Sequence, residues 1–256
     1  RAERESYING APWRRCAGPA ANFGAGARGE AADMGAKHAQ QKPPARLCCA
    51  GCVVLPPAFY DRDTLRVARD LLGTLLVRQS REGLTSGRIV EVEAYLHEDD
   101  PACHAARGCT RSNRAMFGPP GRAYVYPIHS RYCLNAVTRE RGTACAVLIR
   151  AVEPLDGIEL MRRRRQRQTR RHLTLRELAR GPARLCEAFA VDRRLDHWDL
   201  TRGQRLWIGR EATAGWRDEE IGQSGRIGVT AAADLPLRFF VTSSPYVSGS
   251  RRSRPG

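Results

Sequence analysis

Lysine is almost missing from this chain: only Lys37 and Lys42 occur among 43 basic residues, and both lie in the first fifty positions. Beyond residue 42 no side-chain amine exists to form a Schiff base, which excludes lysine-based covalent catalysis from most of the sequence. No run of eighteen apolar residues occurs, so no membrane-spanning helix is expected. The N-terminal stretch has no apolar segment of signal-peptide type, because Arg14, Arg15 and Glu30 interrupt it. An intracellular protein is the expectation, in the cytoplasm or nucleoid of a bacterium or the nucleus or an organelle of a eukaryote. Aromatic residues are scarce at 7%, so any cluster of them stands out.

Cysteine is present, nine residues in all, but in no pattern that makes a framework. Cys103, Cys109, Cys133, Cys145 and Cys186 are scattered and read as small buried hydrophobes in a reducing compartment. Cys48, Cys49 and Cys52 form a C-C-x-x-C cluster with no second pair of ligands at zinc spacing, so no metal site is expected there.

What the chain does have is positive charge. The 43 Lys+Arg against 27 Asp+Glu leave a formal charge of +16. Coding bias can exchange lysine for arginine, but it does not create such an excess. A surface of this sign attracts polyanions, and nucleic acid is the common one in a cell.

Residues 1–52, rich in Ala, Gly, Arg and Pro and without periodicity, read as a disordered leader or an over-extended gene model. Residues 53–249 form one domain, and 250–256 a frayed tail. Asp63 is placed to cap a helix carrying Leu65, Ala68, Leu71 and Leu72, with Gly73 ending it. Strands are expected at 74–77, 87–96, 124–128, 145–152, 226–230 and 237–241, and helix within 176–190, interrupted at Gly181-Pro182. The arginine run over 162–171 reads either as a solvated, self-repelling loop or as a phosphate contact. Strands outnumber helices at irregular spacing, which gives an α+β fold with one mixed, largely antiparallel sheet.

Within the strand 87–96, alternation puts Val90, Val92, Ala94 and Leu96 on one face and Glu91, Glu93 and Tyr95 on the other. The polar face is either solvated or the wall of a site. A loop follows with His97, Glu98, Asp99, Asp100, His104, Arg107, Asn113 and Arg114, compatible with a polar surface, a phosphate contact or a cation site. Tyr124 and Tyr126, at i and i+2 on a strand, form an aromatic face of the kind that packs a core or stacks a base.

Order and spacing say more than any one of these. RIVEVEAY (88–95), His104, NRAMF (113–117), YVY (124–126), CLN (133–135), LIRAVEP (148–154), GPARLC (181–186) and SSPYVS (243–248) succeed one another. That series, running from about Leu55 to Ser248, resembles the alkyladenine (3-methyladenine, N-methylpurine) DNA glycosylase family. The resemblance implies a single-domain fold with a curved sheet, working without a cofactor or metal as a monomer on double-stranded DNA that contains damaged purines. It implies that Glu93 is the general base for water and that Arg150 helps hold that water and a nearby phosphate. Tyr95 would stack on one face of an everted base, His104 and Tyr126 on the other, and Asn135 would floor the pocket and crowd the exocyclic amine of guanine. The wedge that fills the vacated stack departs from the family pattern, because His129 stands where a tyrosine is expected. Ile128, His129 and Tyr132 are the candidates.

Two other readings stay open from the residues alone. One is a duplex-binding protein of the same fold without catalysis. The other is a metal-dependent nuclease using Glu91, Glu93, Asp99 and Asp100, although these lack a recognised ligand pattern.

Overall fold

A computed structural model describes residues 52–97, 100–167, 169, 171–211 and 220–249. The leader up to Gly51 with Cys48 and Cys49, the tail from Ser250, and Glu98, Asp99 and Arg170 lie outside the described residues. Among the described residues nine strands make one sheet: β1 (Val53–Val54), β2 (Leu75–Ser80), β3 (Gly83–Tyr95), β4 (Ala123–Ile128), β5 (Arg131–Thr138), β6 (Cys145–Pro154), β7 (Leu206–Arg210), β8 (Ile221–Ser224) and β9 (Arg238–Val241). The order is β1-β7-β2-β3-β6-β5-β4, with β9 joining β3 beyond the end of β2 and β8 outside it. Every pairing among the described residues is antiparallel. The curled sheet and the few short helices are the α+β architecture expected.

The α-helices among the described residues are α1 (Pro57–Tyr60), α2 (Thr64–Leu71), α3 (Ile158–Gln166) and α4 (Pro182–Ala188). α2 forms as its sequence dictates. The Asp63 carboxylate accepts from the Arg66 amide at 3.1 Å, Val67, Ala68 and Leu71 face the core, and Gly73 turns the chain out at φ +84°. α2 packs on β3 and β6, and α4 on β5 and β6. The main core between them buries Val90, Val92 and Ala94 of β3, the apolar face anticipated by alternation. The opposite face carries a smaller core under two 3-10 turns, His104–Arg107 and Arg114–Phe117. There Met116, Tyr124 and Ala146 are buried, with Tyr95 and Tyr126 packed against them.

Several expectations need correction. Residues 226–230 are not a strand: the Arg226 side chain and the Ile227 amide are engaged by acids elsewhere, so this backbone leaves the sheet. The arginine run is neither a loop nor an open surface at its start. Arg162 to Arg165 sit on α3, and Arg164 and Arg165 are buried. Arg164 donates to Glu82 at 2.8 Å, the Ala188 carbonyl at 3.0 Å and Ser80 at 2.9 Å, while Arg165 pairs with Glu187. β5 and β7 carry buried residues on both faces, so no alternation announced them. Cys109 is exposed; the other four scattered cysteines are buried. Cys52 is buried against Trp207. Among the described residues no helix is long and apolar enough to cross a membrane.

Candidate active site

The site begins with two irregularities in the ladder between β3 and β6. Register shifts between Ile89 and Glu91 and again between Glu91 and Val92, leaving Val90 and Arg150 without an opposite partner. A bulge re-aims the side chain it carries. Arg150 is thereby placed between the two carboxylates of β3, with Nε 3.0 Å from Glu91 Oε1 and Nη1 3.1 Å from Glu93 Oε2. Burial would lower the Arg150 pKa, but the charges of Glu93 and Glu91 raise it on balance.

Glu91 and Glu93 are both fully buried, and their surroundings differ. Glu91 accepts from Arg238 Nε at 2.8 Å, from the Ser248 amide at 2.6 Å and from the Ser248 hydroxyl at 2.9 Å, besides Arg150. Its oxygens are saturated by fixed donors. Glu93 accepts from the Ile227 amide at 2.7 Å and the Tyr95 hydroxyl at 3.0 Å. Burial and the Glu93 charge push the Tyr95 phenol far up, so it remains a neutral donor. The nuclease reading loses its ligands here: Glu91 is held by two arginines, and Asp100 by Arg226, whose Nη2 lies 2.7 Å from Asp100 Oδ1.

Tyr95 opens onto a cleft of about 410 Å³ that also touches His104, Tyr126, Ile128, Cys133 and Arg150. Behind it lies a pocket of about 20 Å³ between Tyr95, His104, Met116, Tyr124, Tyr126 and Asn135. That is room for about one water, so anything larger enters only when these rings part. The His104 and Tyr126 rings meet edge to face at 4.6 Å and 75°, and His104 Nδ1 lies 2.7 Å from the Tyr124 hydroxyl. Burial and the charge of Arg107 lower the His104 pKa, which keeps the imidazole neutral near pH 7. Asn135, opposite Tyr124 in the β4–β5 register, is buried and donates to the Tyr124 carbonyl at 3.0 Å.

Of the six residues expected in the site, Arg150, Tyr95, His104, Tyr126 and Asn135 line the cleft or the pocket behind it, and Glu93 lies beneath that lining, in contact with Tyr95, Arg150 and Ile227. The three wedge candidates separate. Ile128 and His129 are exposed at the β4–β5 tip, where His129 (φ +44°) and Ser130 (φ +63°) form the two-residue turn. Ile128 and His129 also edge a second cleft of about 650 Å³ that reaches Arg131, Arg180 and Arg184. Tyr132 packs against the main core and lines neither cleft.

Sequence reasoning missed the supports. Arg238 and Ser248 hold Glu91; Ile227 holds Glu93; Asn113 ties down the His104 turn by donating to the His104 and Gly108 carbonyls at 2.9 and 2.8 Å. Cys133, read as inert filling, lines both clefts and shares a hydrogen bond with Tyr126. Burial raises its thiol, which leaves it no nucleophile. Partners 134 to 157 residues apart give no local signal, although Ser248 closes the SSPYVS motif.

Residues 58–245 match the model of the methylpurine-DNA glycosylase family. Relatives named "Putative 3-methyladenine DNA glycosylase" match over about three quarters of the chain. The one from Carboxydothermus hydrogenoformans is 47% identical over 197 residues, 77% of this chain and 99% of the relative. That of Methanoculleus marisnigri is 48% identical over 197 residues with the same shares, and that of Koribacter versatilis 44% over 198 residues, 77% and 94%. With most of its length matched by the family and by these relatives, the chain belongs to the methylpurine-DNA glycosylase family.

Proposed function

We propose that this protein is a base-excision repair DNA glycosylase that everts alkylated or deaminated purines from duplex DNA and hydrolyses their glycosidic bond. The domain responsible spans residues 53–249. The observation that carries the reading is the Glu93 carboxylate, buried behind a tyrosine- and histidine-lined cleft and steered by Arg150, the Ile227 amide and Tyr95.

A base in a duplex hides its C1′ carbon, so the nucleotide has to leave the stack at a cost of a few kcal/mol. A lesion that weakens pairing lowers that cost and contributes selectivity. Tyr95 stacks on one face of the everted purine and His104 and Tyr126 on the other, and Asn135 crowds the exocyclic amine of guanine. Electron-rich phenols favour a cationic N-alkylpurine, and a neutral His104 adds no like charge. As the bond to the base breaks, positive charge develops on the sugar. Glu93 stabilises it and takes a proton from the attacking water, which Arg150 helps to hold.

Ile128 and His129, at the tip of a tight hairpin beside the cleft, fill the space left in the duplex. Arg131, Arg180 and Arg184 around the adjoining cleft suit the flanking phosphates. One chain supplies every group named, so a monomer suffices. With no lysine after residue 42, water is the nucleophile and the product is an intact strand with an abasic site.

The test is base release from methylated and hypoxanthine-containing duplexes, with and without EDTA. Release is expected to resist EDTA, and Glu93→Gln to abolish it while lesion binding persists. Full activity of Glu93→Gln removes the assigned base, and strand scission without alkaline treatment removes the monofunctional mechanism. A duplex-binding protein without catalysis would bind and release nothing.

A further inference from the structure

Tyr95 has two faces, and only one of them is free for a base. The Arg226 guanidinium lies over the ring, its Cζ 4.7 Å from the centroid. Arg226 is buried and borders neither the cleft nor the pocket to which Tyr95 contributes. The cation therefore covers the ring from behind. It is held there by the Ala94 carbonyl at 3.1 Å and by both oxygens of Asp100. Asp100 is itself fixed by the amides of Leu96 and Ala102, each at 3.1 Å.

We propose that Arg226 and Asp100 form a specificity-determining pair that sets the preference between cationic and neutral purine lesions through the ring of Tyr95. This rests on the glycosylase reading and goes beyond it. A cation on one face of a phenol draws on the same negative quadrupole that a cationic base would use from the other face. It is also a like charge, one ring thickness further away. The Asp100 carboxylate offsets that repulsion, so the ring presents a near-neutral backing to the pocket. Neither residue touches the substrate; both act through Tyr95, as positioning residues. A buried pair of opposite charges is tuned by either member, and each change has its own sign. Without the Asp100 charge, Arg226 stands uncompensated and disfavours a cationic lesion. Without the Arg226 charge, Asp100 favours it.

The experiment compares single-turnover base release from duplexes containing 7-methylguanine, a cation, and hypoxanthine, which is neutral, at one pH and ionic strength. Asp100→Asn is expected to lower the ratio of the two rates about tenfold, and Arg226→Gln to raise it about tenfold, the size of a unit charge acting across some 9 Å of protein. The double variant is expected to return towards the parental ratio. A purely structural role would slow both substrates by one factor, and a ratio unchanged within about twofold in a folded variant overturns the proposal. Each single variant is decisive alone, provided its circular dichroism is that of the parent. Should neither fold, the swapped pair Arg226→Glu with Asp100→Arg keeps the ion pair and reverses its order; a raised ratio is expected, and an unchanged one overturns the proposal. Parental protein that releases neither base refutes the glycosylase reading itself, a result distinct from an unmoved ratio.

Discussion

Replacing Glu91 by glutamine is expected to cost more stability than any exposed substitution, and the structure sets the scale. The carboxylate is fully buried and accepts four hydrogen bonds, from Arg150, Arg238 and twice from Ser248, at 2.6 to 3.0 Å. An amide keeps the shape but offers one oxygen and two N–H groups to an environment made only of donors. Two buried guanidinium groups then lose their shared anion. Breaking a buried ion pair by removing one partner costs about 3–5 kcal/mol, about a fifth or more of the stability of an ordinary domain. At about 2–4 °C per kcal/mol for a domain of this size, the melting temperature falls by about 6–20 °C. Urea unfolding followed by circular dichroism measures the loss. Because the damage is an uncompensated Arg238, the double variant Glu91→Gln/Arg238→Gln is expected to lose less than the sum of the two singles. A loss below about 1 kcal/mol in Glu91→Gln, or strict additivity in the double variant, would refute the view that Glu91 anchors the two arginines.

Arg164→Met, which removes bonds to Glu82, Ser80 and the Ala188 carbonyl and leaves that carbonyl without the Arg164 donor, is expected to cost about 1–3 kcal/mol. Arg163→Ala, exposed on the same helix, should stay within about 0.5 kcal/mol; equal losses in urea unfolding would contradict the assignment of the run to structure. Gly157 sits at φ +70°, and a Cβ there would meet the Leu84 carbonyl and the Thr85 side chain. Gly157→Ala is expected to lose at least about 1–2 kcal/mol from the backbone alone, and an unchanged melting temperature would show that the entry to α3 is slack. Burial would raise the Asp100 carboxyl, but the Arg226 hydrogen bond and the Leu96 and Ala102 amides hold it below its ordinary value. A carboxylate depressed in the folded state contributes stability above pH about 4 and loses it as pH falls below. The stability gap between parent and Asp100→Asn should therefore narrow between pH 5 and pH 2, and a constant gap in urea titrations would argue against the depressed value.

What was legible in the sequence is what is local. Asp63 with its apolar repeat gave α2, and alternation from Val90 to Tyr95 put the carboxylates on one face and the valines on the other. Residues whose roles depend on distant partners were not legible. Arg164 looks like its exposed neighbour Arg163 until Glu82, 82 residues away, is brought beside it. RIGVT at 226–230 alternates like a strand, but the Arg226 side chain is taken by Asp100 and the Ile227 amide by Glu93. β5 has Cys133 to Thr138 buried throughout, so the period that identifies a half-exposed strand is absent.

The paired glutamates of β3 carry the same lesson into the chemistry. By alternation alone the two acids look equivalent, two residues apart on one face and either a candidate metal ligand, and only the family resemblance singles out Glu93 as the base. The structure divides them by what they face. Arg238, Glu91, Arg150 and Glu93 follow one another by contacts of 2.8, 3.0 and 3.1 Å, an alternation of charge that leaves no net charge in the buried group. Burying one carboxylate alone would be prohibitive; burying it at the end of a neutral chain is not. Glu91 is the interior member, spent entirely on fixing the arginines. Glu93 is the terminal member, backed by Arg150 and the Ile227 amide and bonded to Tyr95, which lines the cleft. A lone acid on this strand would be exposed and free to rotate, or buried and protonated. Arg150 is the counter-charge of Glu93, and the second acid, two residues earlier, is what holds that guanidinium still.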